Sequence, residues 1–185
     1  MSLRSIFTQK RSPQYVPVSL ALYKGKSMIC FDAVEGRFNF RSVAVIIHSD
    51  HILIHRALED DFWALPGGRV EFFENSNLTV KREMFEELGL ECDVVRQLWY
   101  VENFFEYNSL RFHELANYFL VSFTKQPKIE SEMDFKGVET SVNLLFRWVP
   151  LAKLKGYNLK PDFLIDKLTD LPSSLECIQI REINA

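Results

Sequence analysis

Apolar residues alternate with polar ones through much of this chain, and the alternation defines most of its predicted elements. Val16, Val18, Leu20 and Leu22 take every second position, as in a half-buried strand. A Gly25-Lys26 turn then leads into a further strand-like stretch, Ser27 to Phe31. From Phe38 onward strands dominate. Ser42–Ile47 and Ile52–His55 are predicted strands joined across Ser49-Asp50, a hairpin signal. Phe62–Leu65 is a short apolar run stopped by Pro66-Gly67-Gly68. Val94–Phe105 and Leu110–Phe123 are β-branched and aromatic runs around Asn108-Ser109, a second predicted hairpin. Val142–Val149 is a last strand, ended by Pro150.

Two segments change the period from strand to helix. In Asn77–Leu88, the residues Leu78, Val80, Met84, Phe85 and Leu88 fall within one arc of roughly 160° on a helical wheel. Near the C-terminus, Pro161 is predicted to open a second helix with Phe163, Leu164, Ile165 and Leu168 at helical spacing. Strands with one helix inserted and another at the end give an α/β domain, a mixed sheet flanked by helices. The expected division is an N-terminal extension over residues 1–27, strand or hairpin in character, and a main domain over 28–185.

Composition narrows the class without choosing a function. The 185 residues are 47% hydrophobic and 25% charged, the balance of a globular domain that buries its own core. Cys30, Cys92 and Cys177 are too few and too scattered for a disulfide framework or zinc finger, and fit a cytoplasmic setting. No apolar stretch approaches the length of a membrane-spanning helix. The net charge of −3 disfavours binding to duplex nucleic acid. That total hides an asymmetry: residues 1–31 carry five bases and no acid, leaving 17 bases against 25 acids in the remainder, a net −8. An acid-free start also suits a transit peptide, but alternation at Val16–Leu22 favours a strand.

The chemistry is concentrated on the first helix. Glu83, Glu86 and Glu87 stand at i, i+3 and i+4 and so share one face, where like charges repel and oppose the helix dipole. Bound cations relieve that strain, and hard carboxylate oxygens suit Mg²⁺ or Mn²⁺. Upstream, Pro66-Gly67-Gly68 allows close backbone approach, and Arg82 lies at i, i+4 from Glu86. Gly68, five residues, Glu74, seven residues and Arg82-Glu83-Met84-Phe85-Glu86-Glu87-Leu88-Gly89-Leu90 together match the pattern G-x5-E-x7-R-E-U-x-E-E-x-G-U, with U a bulky aliphatic residue. This stretch resembles the Nudix box at every specified position. A looser likeness to Nudix domains extends from about Phe38 to Phe123. Arg147-Trp148-Val149-Pro150-Leu151 resembles the late strand that leads into the final helix of that fold.

The resemblance implies a Nudix α/β/α sandwich and hydrolysis of a nucleoside diphosphate linked to another moiety, yielding a nucleoside monophosphate and a phosphoryl product. It implies Glu83, Glu86 and Glu87 as metal ligands with the Gly67 carbonyl, Mg²⁺ or Mn²⁺ as cofactor, Arg82 as the residue orienting the glutamates, and Glu74 as support for the loop. The general base is left open among Glu86, Glu87 and Glu114, the last a carboxylate on an otherwise apolar strand beside His113. Arg41, Arg56 and Arg69 are candidates for phosphate contact, and Phe105, with Phe104 and Tyr107, for stacking on a base. His48, His51 and His55 lack acids or cysteines at ligand spacing and are read as structural. The expected substrate is a small nucleotide, and a homodimer is the commonest form of oligomer. Two alternatives remain: a catalytically silent nucleotide-binding module, and a diphosphate isomerase, which would need a cysteine at the site.

Overall fold

The computed structural model describes residues 27–125, 127–139 and 143–183. The predicted strand at Val16–Leu22 lies outside them. Nine strands make one mixed sheet: β1 (Cys30–Ala33), β2 (Gly36–His48), β3 (His51–Ala57), β4 (Gly67–Arg69), β5 (Cys92–Tyr107), β6 (Leu110–Phe123), β7 (Asp134–Lys136), β8 (Leu144–Pro150) and β9 (Glu176–Arg181). The main path runs β7-β8-β3-β2-β6-β5-β9, with β1 and β4 both pairing to β2. The two predicted hairpins are present, turning at Ser49-Asp50 and Asn108-Ser109, all four with positive φ.

Helix α1 (Ser76–Leu88) packs one face of the sheet. Its Val80 and Met84 are fully buried against Ala44, Ile46, Leu53, Phe119 and Phe146. The helical wheel overstates the apolar stripe: Leu78 and Phe85 are exposed, whereas Thr79 and Glu87 are buried in their place. The opposite face carries a second core, in which Val43, Val45, Trp99 and Tyr118 meet Trp63, Leu154, Leu159, Leu164 and Leu168. This layer comes from the C-terminal segment and not from a long helix. After β8 the chain makes a 3-10 helix (Leu151–Gly156), and the second helix is a single turn, α2 (Leu164–Lys167). Pro161 is not its first residue. It begins a preceding turn, its carbonyl accepting from the Leu164 N–H at 3.1 Å. Phe163, expected on the helix, packs edge-on against Trp99 and Tyr118. The predicted strand beginning at Val142 starts at Leu144 among the described residues.

Strand β9 was not expected. It pairs in parallel with β5 from Trp99↔Glu176 to Phe104↔Arg181, and alternate residues Ile178 and Ile180 pack on the second core. Their spacing was the available signal, in a segment too short to stand out beside the Pro172-Ser173-Ser174 turn before it.

Candidate active site

Strand β4 and helix α1 hold the three motif carboxylates against the backbone of the glycine turn. β4 pairs with β2 through Arg41↔Arg69, Ser42↔Gly68 and Val43↔Gly67. Successive strand residues face opposite sides, so Gly68 and Ser42 face α1, and the Ser42 hydroxyl donates to the Ser76 carbonyl at 2.5 Å. A Cβ on Gly68 would fall on the Glu83 carboxylate, and one on Gly67, whose φ is +146°, would collide with the Ser42 carbonyl. These glycines let the Glu83 carboxylate lie directly on the main chain.

Arg82 organises one side of this cluster. Its Nε and Nη2 donate to the two oxygens of Glu74 at 2.8 and 2.9 Å, and its Nη1 donates to Glu83 at 2.6 Å and Glu86 at 3.1 Å. A further bond runs from Nη2 to the Arg69 carbonyl. Glu74 also accepts from the Thr79 hydroxyl at 2.8 Å and the Glu71 N–H at 3.2 Å. The Arg82 bonds, with smaller help from these two, hold the Glu74 carboxyl at a pKa of about 2. Pairing with Glu74 and Glu83 raises the Arg82 guanidinium further above its already high value.

The other side is starved of partners. Glu87 is only 6% exposed, and its Oε2 is buried without a hydrogen-bond partner. Burial, followed by the field of Glu83, pushes its pKa up to about 8. Glu139, from the segment after β7, adds to that repulsion. Glu83 is shifted in the same direction, burial again outweighing its bond to Arg82. A buried carboxylate oxygen without a donor, beside two further carboxylates, fits a hard divalent cation. Glu83, Glu86 and Glu87 could hold one. The Gly67 carbonyl, the fourth expected ligand, accepts from Arg41 Nη2 at 3.0 Å and keeps a second lone pair. Among the described residues, no three acidic, histidine or cysteine side chains converge tightly enough to enclose an ion in this conformation.

Next to the cluster, on the face of β2 away from α1, a cleft of about 570 Å³ opens between the β5–β6 hairpin, the ends of β2 and β3, and Lys160-Pro161. Arg41 links the two regions: its field is felt by Glu83 and Glu87 on one side and by Glu114 on the other. Its Nε is buried and unpartnered. All the expected substrate-side residues, Arg41, Arg56, Arg69 and Phe105, line this cleft, and Glu114 joins them. Their local bonds differ. Arg56 donates to the Asp60 carbonyl at 2.8 Å and lies over Trp63, while Arg69 Nε donates to Asn39 Oδ1 at 3.2 Å. Phe105 stacks in parallel on Phe112 with ring centres 4.9 Å apart. Burial raises the Glu114 pKa, against the pull of Arg41 and a hydrogen bond from Asn39.

His113 faces the other way, packing between Phe104 and Phe38 and bonding Glu102 at 3.0 Å. Phe104 shares that outer face, so neither residue lines the cleft. His51 bonds the Ser49 carbonyl and Ser131, as a structural histidine does. His55 departs from the structural reading in one respect: it is buried at the cleft with Nδ1 unpartnered, and burial drives its pKa down to about 3, keeping the ring neutral. None of the three cysteines lines the cleft, and Cys92 sits in the core beneath α1. The residues missed in the sequence are Asn39 and Asn103, both buried polar side chains of the cleft, and Asp60, which accepts from the hydroxyl of the stacking candidate Tyr107 at 2.7 Å across its mouth. The first two had a signal in principle, since an asparagine in the interior of an apolar strand requires a polar surrounding.

Comparison with known proteins agrees with this geometry. The NUDIX domain model matches residues 39–167. The 8-oxo-dGTP diphosphatase of Buchnera aphidicola is 28% identical over 120 residues, 63% of this chain and 80% of that protein. A Mycobacterium tuberculosis protein named MutT4 is 27% identical over 123 residues, 61% of this chain but only 46% of its own length. Among solved structures, a MutT NUDIX hydrolase from Burkholderia pseudomallei superposes with a TM-score of 0.50 at 28% identity, covering 62% of this chain and 84% of the other. The mutator MutT protein from Bacillus halodurans shares the fold at a TM-score of 0.55 and 14% identity, covering 77% and 89%. The family model spans well over half of the sequence and its motif is the one built onto β4 and α1. The chain belongs to the Nudix family, whose hydrolases act on phosphoanhydride bonds.

Proposed function

We propose that this protein hydrolyses a phosphoanhydride bond in a small nucleoside diphosphate derivative, with Mg²⁺ or Mn²⁺ held by Glu83, Glu86 and Glu87. The observation that carries the reading is the pairing of a carboxylate cluster, in which the buried Glu87 Oε2 has no donor, with an arginine-lined cleft, joined through Arg41. The carboxylates alone would repel a diphosphate, and the arginines alone would bind it without cleaving it. When bound, the cation supplies charge neutralisation and activation of a water for attack on phosphorus. The chain's own residues do the rest. Arg82 and Glu74 are positioning residues: they fix the rotamers of Glu83 and Glu86 from behind. Arg41, which lines the cleft and has an unpartnered Nε–H, is the proposed phosphate contact. We place the proton acceptor among the motif glutamates, because Glu114 is engaged by Asn39 on the cleft side. Phe105 offers an aromatic ring at the far end.

The test is a panel of nucleoside diphosphate derivatives and nucleoside triphosphates with Mg²⁺ or Mn²⁺, products identified by mass. Release of a nucleoside monophosphate, abolished by a chelator and by Glu86→Gln or Glu87→Gln, is the expected result. Binding without turnover across the panel would overturn it in favour of a silent module.

A further inference from the structure

The floor of the cleft carries a feature that phosphate chemistry does not use. The register of three adjacent strands sets Asn39 of β2 opposite Glu114 of β6, and Glu114 opposite Asn103 of β5. The three side chains therefore form a row, amide, carboxyl and amide, across the sheet on the cleft face. The row ahead of it is Arg37, Phe112 and Phe105, in which the two phenylalanines stack in parallel. The row behind it is Arg41, Ala116 and Val101, at the end nearest the motif. The amide–carboxyl–amide row thus lies between an arginine at the motif end and a stacked aromatic pair at the other, within four residues of β2.

The row is buried and incompletely bonded. Asn39 is 4% exposed and Asn103 6%. Arg69 Nε donates to Asn39 Oδ1, which turns the Asn39 amide N–H towards Glu114. Asn103 has no such arrangement: its Oδ1 is buried with no partner, although it lines the cleft. A buried amide oxygen left bare costs about 1–3 kcal/mol, and a ligand N–H that reached it would remove the cost. The neighbouring Glu114 carboxyl, shifted upward by burial against the pull of Arg41 and the bond from Asn39, adds acceptor oxygens beside it. Neighbouring acceptors at the edge of a stacked aromatic pair suit a planar heterocycle that presents N–H groups along one edge. It suits a phosphate poorly, since phosphate brings no N–H for Asn103.

From this arrangement we infer that the Asn39–Glu114–Asn103 row is the base-reading element of the site, Asn103 and Glu114 bonding the edge of a nucleobase whose face lies by Phe105. Asn39 and Arg69 are positioning residues for Glu114, which removes Arg69 from the phosphate contacts. The inference rests on the nucleotide-hydrolase reading above and gives it a specificity determinant.

Two measurements test it. The first is calorimetric binding, without added metal, of AMP, GMP, CMP and UMP against ribose 5-phosphate, to the wild type and to Asn103→Leu and Glu114→Gln. At least one monophosphate should bind ten-fold or more tightly than ribose 5-phosphate, and each variant should erase most of that margin. The second is hydrolysis of the four corresponding nucleotides. The variants should raise KM for the preferred base about ten-fold or more with kcat nearly kept, flattening the ranking of bases. Ribose 5-phosphate binding as tightly as the best monophosphate overturns the inference. So does a variant that lowers kcat equally for all bases. Glu114→Gln preserves shape and keeps the test decisive if Asn103→Leu does not fold. Base-selective binding without any hydrolysis would retain the row's role and reject the enzymatic reading. Base-blind hydrolysis would do the reverse.

Discussion

Glu74 and Glu87 belong to one motif and have opposite electrostatic fates. The two oxygens of Glu74 share four donors, two from Arg82 and one each from Thr79 and the Glu71 N–H, and its carboxyl is held near a pKa of 2. Glu87, on the same helix as Arg82, is more deeply buried, has a bare oxygen and sits near a pKa of 8. Burial pushes both carboxyls upward and Glu87 further, but at Glu74 it is outweighed. The presence of a matched donor makes that difference. One carboxylate stabilises the fold, while the other is kept costly by the fold, as expected of a group waiting for a cation.

The largest expected effect breaks the starved side. Glu87→Gln removes a ligand and should lower turnover by about 10²–10³ or more, the order seen when a group stabilising the reacting charge is deleted. If Glu87 were an ordinary surface acid, steady-state turnover would change less than about three-fold.

Glu74→Gln breaks the satisfied side and should act on stability first. It loses charge-assisted bonds worth about 1.5–3 kcal/mol and leaves Arg82 short of a partner. The folded pKa is depressed, so the stabilisation from Glu74 is present above its unfolded value of 4.5 and is lost as pH falls towards about 2. Denaturant midpoints for wild type and variant should therefore converge between pH 4.5 and 2. A constant gap over that range would show that Glu74 is not held by charge.

The sign reverses for Glu87, and this sharpens the comparison. Its folded pKa is raised, so between pH 4.5 and about 8 the native protein binds more protons than the unfolded chain, and stability falls as pH rises. Without metal, Glu87→Gln should be more stable than wild type at pH 8, by about 1–3 kcal/mol, and close to it near pH 4.5. Adding Mg²⁺ or Mn²⁺ should raise the wild-type melting temperature most at alkaline pH and the variant's little. A variant less stable than wild type at pH 8 would contradict the strain assigned to this carboxylate.

Much of this contrast was legible in the residue string, and the reason is geometric. Spacing at i, i+3 and i+4 places Glu83, Glu86 and Glu87 on one face whatever else the chain does. Arg82 at i, i+4 from Glu86 was legible for the same reason, and Gly67-Gly68 because only glycine tolerates that approach. Features that depend on which strands become neighbours were not legible. Asn39 lies more than sixty residues from Asn103 and Glu114 and joins their hairpin pair only through parallel pairing of β2 with β6. The C-terminal half misled for a related reason. Phe163, Leu164, Ile165 and Leu168 have helical spacing, yet what buries them is the face of the sheet around Trp99 and Tyr118, and a single turn suffices.

The smallest effect comes from a bond with one neutral partner. The Tyr107 hydroxyl donates to Asp60 Oδ1 at 2.7 Å, joining the β5–β6 hairpin to the segment after β3 across the cleft mouth, and Phe62 packs edge-on against the same ring. Glu74 has a guanidinium, a hydroxyl and a main-chain N–H converging on it, whereas this pair has one half-buried hydroxyl. If matched donors set the scale, Tyr107→Phe should cost about 0.5–1.5 kcal/mol in stability, less than Glu74→Gln, because the ring packing survives. Its effect on catalysis should appear in KM, a few-fold, with kcat unchanged, since the bond ties the walls of the cleft and touches no motif glutamate. Steady-state kinetics and a denaturation curve measure both. A kcat loss as large as that of Glu87→Gln would mean that closure of the cleft mouth, and not the starved Glu87, limits the reaction.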